Sequence, residues 1–171
     1  MNISNTNKEI RVGKITLNIG AGKDQAKLEK GISLLKHITG TDPVKTFAKK
    51  RIPNWGLRPG LPIGCKLTLR HDEAIRLLPR LLSAKGKKLS AKQFDNYGNV
   101  AFGIHEYIDI PEVKYEPKIG VMGLEVCISL ERNGYRIKMR SKCPGKIPAR
   151  HIISRDEAVN FIKQRFEVDI Q

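Results

Sequence analysis

Alternation of apolar and polar residues sets in at Lys14. Ile15, Leu17 and Ile19 fall on one side of an extended chain and Lys14, Thr16 and Asn18 on the other, the period-two pattern of a half-buried strand. Gly20-Ala-Gly22 ends it. From Asp24 the spacing becomes helical, with Leu28, Ile32, Leu35 and Ile38 in one apolar stripe and Gly40 at the position of a C-terminal cap. A short strand is predicted over 44–48 and a second over 63–70, where Ile63, Cys65, Leu67 and Leu69 oppose Lys66, Thr68 and Arg70. Residues 71–82 read as a helix with Ala74, Leu77, Leu78 and Leu81 inward, which Pro79 is expected to kink or to restrict at its start.

After a basic loop at Lys85-Gly-Lys-Lys88, Phe94-Asp-Asn-Tyr-Gly-Asn99 has turn chemistry and precedes a strand over 100–104. Leu124, Val126, Ile128 and Leu130 alternate again. Asn133-Gly134 predicts a hairpin turn into a return strand, with Tyr135, Ile137 and Met139 on one face and Arg136, Lys138 and Arg140 on the other. Ser154-Arg-Asp-Glu157 is a capping box opening a last helix, buried through Ala158, Phe161 and Ile162. These elements define an α+β fold, an antiparallel sheet with helices packed on one face and the other face open and basic. The expected organisation is a flexible tail over 1–8 and a single domain over 9–171, from which a long basic loop, 49–62, protrudes between two strands.

Charge narrows the function. Thirty-two Lys and Arg against seventeen Asp and Glu leave +15, a surplus that self-repels unless a polyanion offsets it. No apolar run of about 18 residues, signal-peptide core or amphipathic cationic anchor is present, so no membrane partner is expected. Cys65, Cys127 and Cys143 form no disulfide pattern and point to a reducing, cytoplasmic compartment. The stretch from Ala48 to Gly64 holds four cations, no acid, the only tryptophan, three prolines and three glycines. It reads as an extended arm for an anionic partner, or as a plain loop with Trp55 folded back on the core.

Enzyme chemistry finds no support. Gly20-Ala-Gly-Lys23 lacks the spacing and the Ser or Thr of a P-loop, although a helix N-terminus there could approach a phosphate. The four histidines are scattered without ligand spacing, so neither metal nor other cofactor is expected. Lys14, Lys66, Arg70, Arg136, Lys138 and Arg140 share one sign on outward strand positions, with only Glu125 and Glu131 interleaved. No helix shows a recognition face for a DNA major groove, whereas Thr16, Asn18 and Thr68 suit sugar hydroxyls and irregular backbone, which favours RNA.

In order, Ile15-Thr-Leu-Asn-Ile-Gly20, Ile38-Thr-Gly-Thr-Asp-Pro43, Ala48-Lys-Lys50, Gly60-Leu-Pro-Ile-Gly64, Leu67-Thr-Leu-Arg70, Phe94-Asp-Asn-Tyr-Gly-Asn99, Phe102-Gly-Ile-His-Glu106 and Ile108-Asp-Ile-Pro111 resemble the universal large-subunit ribosomal protein number five, the family that binds 5S rRNA. The match spans about residues 10–130. The end, 132–166, looks like the archaeal and eukaryotic branch, and Thr41 stands where bacterial relatives commonly carry glutamine. The resemblance implies a sheet backed by helices, similar to RNA-recognition (ferredoxin-like) modules. It further implies a structural constituent of the large ribosomal subunit in the cytoplasm, with 5S rRNA, 23S-type rRNA, P-site tRNA, neighbouring large-subunit proteins and a small-subunit head protein as partners. The alternative reading is an RNA-processing enzyme or a general RNA-binding or chaperone protein outside the ribosome. Candidate rRNA-binding residues are Lys14, Thr16, Asn18, Lys23, Thr41, Lys45, Lys66, Thr68 and Arg70. Candidate tRNA-binding residues, on the long loop, are Lys49, Lys50, Arg51, Asn54, Trp55 and Arg58.

Overall fold

The computed structural model describes residues 5–170. Five strands, β1 (Ile10–Gly20), β2 (Val44–Phe47), β3 (Pro62–Arg70), β5 (Asn99–Ile104) and β6 (Leu124–Arg132), form one sheet of order β2-β3-β1-β6-β5 in which every pair is antiparallel. A two-residue strand β4 (Lys88–Leu89) pairs in parallel with β7 (Asp169–Ile170) and ties the end of the chain down.

Helices α1 (Gln25–Thr39), α2 (His71–Ala84) and α4 (Arg155–Phe166) supply the other layer, with a short α3 (Arg136–Met139) after β6. Helix α1 starts where the Asp24 carboxylate accepts from the amides of Ala26 and Lys27, at 2.9 and 3.2 Å. It stops at Gly40, whose φ of 74° is the left-handed conformation a glycine adopts without a Cβ penalty. Its buried stripe is Leu28, Gly31, Leu34, Leu35 and Ile38, while Ile32 is only half-buried. Helix α2 runs through Pro79. Both Pro79 and Ile75, the residue whose carbonyl loses its helical donor, lie on the exposed side, where water can serve that carbonyl. The capping box of α4 is formed, with Ser154 N donating to Glu157 Oε2 at 2.9 Å and Glu157 N to Ser154 Oγ at 3.3 Å.

The inner sheet face, through Ile15, Leu17, Ile19, Cys65, Leu67 and Leu69, and the apolar helix stripes join in one contiguous core. No described helix is long and apolar enough to cross a membrane.

The predicted hairpin at Asn133-Gly134 does not form. Beyond β6 the chain turns into α3, and Tyr135, Ile137 and Met139 make no return strand. The ladder limits it: β6 is paired with β1 on one edge as far as Arg132, and on the other with β5 as far as Ser129 and with Gly98 O through Leu130 N, so a return strand would meet an edge already taken over most of its length. Of the tail expected over 1–8, residues 1–4 lie outside the described residues. Thr6–Lys8 close a 3-10 turn whose carbonyls take hydrogen bonds from Asn133 and Arg132.

Candidate nucleic-acid interface

Strand register turns the outward residues into rows across the sheet. Arg70, Lys14, Ser129 and Asn99 form one row; Thr68, Thr16, Cys127 and Ala101 the next; Lys66, Asn18, Glu125 and Gly103 the third. Lys14 takes its place through a bulge. Register slips between Val12 and Lys14, so that Val12 faces the core while Lys14 stays with Thr16 on the open side. Gly13 stands at the slip with the Glu131 side chain lying over it, so a Cβ there would have to push that side chain aside.

The two halves of this face differ. On β1 and β3, three cations surround two hydroxyls that meet at 3.4 Å, Thr16 Oγ1 and Thr68 Oγ1. On β5 and β6, apart from the acids Glu125 and Glu131, the positions include the small residues Ala101, Gly103, Cys127 and Ser129, a shelf on which a ligand backbone can lie close to the strands. Burial and the neighbouring Glu125 push the Cys127 thiol up, so it stays protonated and uncharged. Cys65, on the inner face, is pushed to about 11 by burial.

Both acids of the face have structural partners. Glu125 Oε2 accepts from the Asn18 amide nitrogen at 2.9 Å, and the Glu131 side chain lies over Gly13. The expectation that six cations share the outward strand positions is therefore corrected. Lys14, Lys66 and Arg70 do, but Arg136, Lys138 and Arg140 belong to α3 and the residue after it, because the return strand is absent. Lys138 nevertheless returns to the end of the sheet, where it lines a cleft with Lys14 and Ser129.

The remaining rRNA candidates stand apart from these rows. Lys45 is paired with Cys65, a core residue, and so belongs to the helix-bearing side of edge strand β2. Thr41 lies in the turn after α1, its amide donating to Thr39 Oγ1 at 3.3 Å. Lys23 follows the β1 turn, and its Cδ would lie 3.9 Å from a Cβ placed on Gly56, against the long loop.

That loop has internal structure. Ala48 N donates to Leu61 O and Gly60 N to Ala48 O, pinching its base, while Ile52 and Leu57 exchange both backbone hydrogen bonds around a 3-10 turn at Pro53–Trp55. Leu57 is buried, whereas Trp55 is 67% exposed, which disposes of the reading in which the tryptophan folds back on the core. Lys49, Lys50, Arg51, Asn54 and Arg58 are exposed, and the described residues give the four cations no acidic partner within 4 Å.

Sequence reasoning missed Arg132, the one buried charged side chain among the described residues. Its Nε donates to Lys8 O, Nη1 to the carbonyls of His151 and Ile152, and Nη2 to Glu157 Oε1 at 2.6 Å. One guanidinium thus ties the N-terminal segment, the strap before α4 and the start of α4 to the end of β6.

An open sheet of hydroxyls, amides and cations over a helical layer, with an acid-free arm beside it, defines an RNA-binding α+β protein that works by surface recognition rather than in a catalytic pocket. Comparison with known proteins makes this particular. A profile described as "Ribosomal protein L5" matches residues 5–58, and the profile of the C-terminus of the same ribosomal family matches residues 62–167. The chain belongs to the ribosomal protein L5 family. Among its relatives is the "Large ribosomal subunit protein uL5" of Sulfurisphaera tokodaii, 44% identical over 167 residues that cover 97% of this chain and 94% of the relative. Proteins of the same name from Sulfolobus acidocaldarius (42%; 97% and 93% covered) and Nanoarchaeum equitans (44%; 95% and 96% covered) are similar over nearly their full lengths. The family is one of structural, non-enzymatic, RNA-binding proteins of the large ribosomal subunit, acting in translation in the cytoplasm.

Proposed function

We propose that the chain seats 5S rRNA on its open sheet face, through Lys66 and Asn18, Thr68 and Thr16, and Arg70 and Lys14. It also contacts 23S-type rRNA in the large subunit, reaches P-site tRNA with the arm, and lies beside neighbouring large-subunit proteins and a protein of the small-subunit head. The observation that carries this reading is the alignment of those six side chains in three adjacent cross-strand pairs. Cations there attract phosphates of any sequence, while the fixed hydroxyl pair and the Asn18 amide can select among sugar and base edges. The arm carries the tRNA reading because its cations are exposed and without acidic partners and its tryptophan is presented to solvent. Lys23, against the arm, joins that cationic surface, while Thr41 and Lys45 would meet rRNA only at the sheet edge.

The test is retention of labelled 5S rRNA by the purified chain, with and without divalent metal. Stable binding without cleavage, lost in a Lys66→Gln/Arg70→Gln double variant, is the expected result. Binding unaffected by that double variant would remove the open face from the interface.

A further inference from the structure

A cleft of about 290 Å³ lies beside the Lys14 end of the sheet, lined by Tyr97, Tyr135, Lys138, Lys146, Ile147 and Ile152. It adjoins a second cleft, lined in part by Lys14, Asn99, Ser129 and the acid Glu131, and the two share Tyr97, Tyr135 and Lys138. A groove thus continues from the open face over the end of the sheet.

Both tyrosines are set in place. Tyr135 donates its hydroxyl proton to His151 O at 3.1 Å and accepts from Ile153 N at 3.0 Å, so its polar end is consumed internally and its ring serves as wall. Tyr97 sits in a turn held by Asp95 Oδ1, which accepts from the amides of Tyr97 and Asn99 at 2.8 and 2.7 Å. That turn packs on the same segment, since a Cβ on Gly98 would come within 3.0 Å of Ile153. Tyr97 is nevertheless 63% exposed. Among the described residues neither Lys138 nor Lys146 has an acidic partner within 4 Å, although the Lys138 charge helps to lower the Asp95 carboxyl, and the larger cleft has no acid in its lining.

We propose that this cleft takes one unstacked base of an RNA strand that crosses the Arg70–Lys14–Ser129–Asn99 row, the base lying on the Tyr97 ring and Lys138 and Lys146 meeting the flanking phosphates. The inference rests on the reading that the open face binds RNA, and it adds a subsite off the sheet. At its volume the cleft falls just below the ~300–1,000 Å³ of small-ligand sites, room for a single ring system. A solvent-presented aromatic ring flanked by cations free of salt bridges within 4 Å fits a base with its phosphates, because every base has a π-face and every linkage a charge. An apolar side chain of a protein partner would make no use of the charge of the two exposed lysines.

Short-wave ultraviolet cross-linking of the full chain to 5S rRNA and, separately, to octauridylate tests this, with the cross-linked peptide identified by mass spectrometry. A cross-link at Tyr97 is expected. Tyr97→Ala should weaken octauridylate binding about tenfold, whereas Tyr97→Phe, which keeps the ring, should retain it. If the RNAs bind but neither cross-links to Tyr97, or if Tyr97→Ala binds both with unchanged affinity and so leaves the cleft to a protein side chain, the subsite is overturned while the sheet reading stands. If neither RNA binds the wild-type chain, the sheet reading falls and the subsite with it.

Discussion

Asn18 and Glu125 face each other across β1 and β6, and the Asn18 amide nitrogen donates to Glu125 Oε2 at 2.9 Å. A carboxylate can only accept, so the amide has one orientation, and its carbonyl oxygen and second N–H are the groups left for a ligand. An acid in the middle of a cationic face opposes polyanion binding, yet it fixes the side chain beside Lys66 that can discriminate. Glu125→Ala should therefore raise affinity for an unrelated RNA several-fold while narrowing the preference for 5S rRNA. Paired titrations of the two RNAs check this, and a preference that widens would contradict it.

Thr68→Val keeps shape and β-branching and removes one hydroxyl of the Thr16–Thr68 pair. The fold should survive, because Thr68 is exposed and the pair is long at 3.4 Å. Affinity for 5S rRNA should fall by about 1 kcal/mol, roughly fivefold, with little change for unrelated RNA. Equal losses for both RNAs would remove Thr68 from specificity.

Salt separates the two kinds of contact. The logarithm of the 5S rRNA binding constant should fall linearly with the logarithm of salt concentration, and Lys66→Gln should reduce the slope by about one ion. Thr68→Val should leave the slope unchanged. A Lys66→Gln slope equal to wild type would place that lysine off the phosphates.

Arg132 holds three segments of chain at once, so Arg132→Ala should destabilise by about 3 kcal/mol by leaving several carbonyls without donors, and Arg132→Lys should recover little because an ammonium cannot fork. Glu157 adds a pH dependence. Hydrogen bonds from Ser154 outweigh its desolvation and, with Arg132, hold its carboxyl below the usual value of 4.5. A depressed carboxylate contributes stability that is present above the unfolded value and lost as pH falls through the folded one. Urea midpoints should thus drop on acidification below about pH 4.5, and Glu157→Gln, less stable at neutral pH, should show a shallower drop. An identical acid profile in Glu157→Gln would show that another carboxylate governs it.

The arm tests as a separable part with one anchor. Trp55→Ala should leave thermal unfolding unchanged, since the ring is exposed, whereas replacing 50–59 by three glycines should cost about 2 kcal/mol through loss of buried Leu57. Both variants should bind 5S rRNA nearly as the parent chain does and weaken tRNA retention in reconstituted ribosomes. Unchanged tRNA retention would withdraw the tRNA assignment and leave the rRNA one standing.

Alternation and capping are local, which is why β1, β3, α1, α4 and the outward set Lys14, Thr16, Asn18, Lys66, Thr68 and Arg70 are legible in the order of residues. The hairpin expected at Asn133-Gly134 fails for the same reason. A turn signal says the chain can reverse, but only the sheet says whether an edge is free to receive it, and here β1 on one side and β5 with Gly98 on the other occupy most of β6. Gly13, a glycine beside a strand pattern, is the local trace of the bulge that sets Lys14 in its row.

By itself, then, the sequence determined the amphipathic strands and helices, the excess of positive charge and the acid-free arm, because each follows from side chains a few positions apart. Tertiary structure alone decided which outward residues become neighbours. Asn18 and Glu125 are 107 positions apart, and Arg132 reaches a carbonyl 124 positions away, so neither pairing leaves a trace in any local window. The sheet brings Asn18 to Glu125 through strand register, and the buried Arg132 guanidinium must find partners wherever the fold carries them, since an unpaired charge in the interior costs more than the contacts around it return.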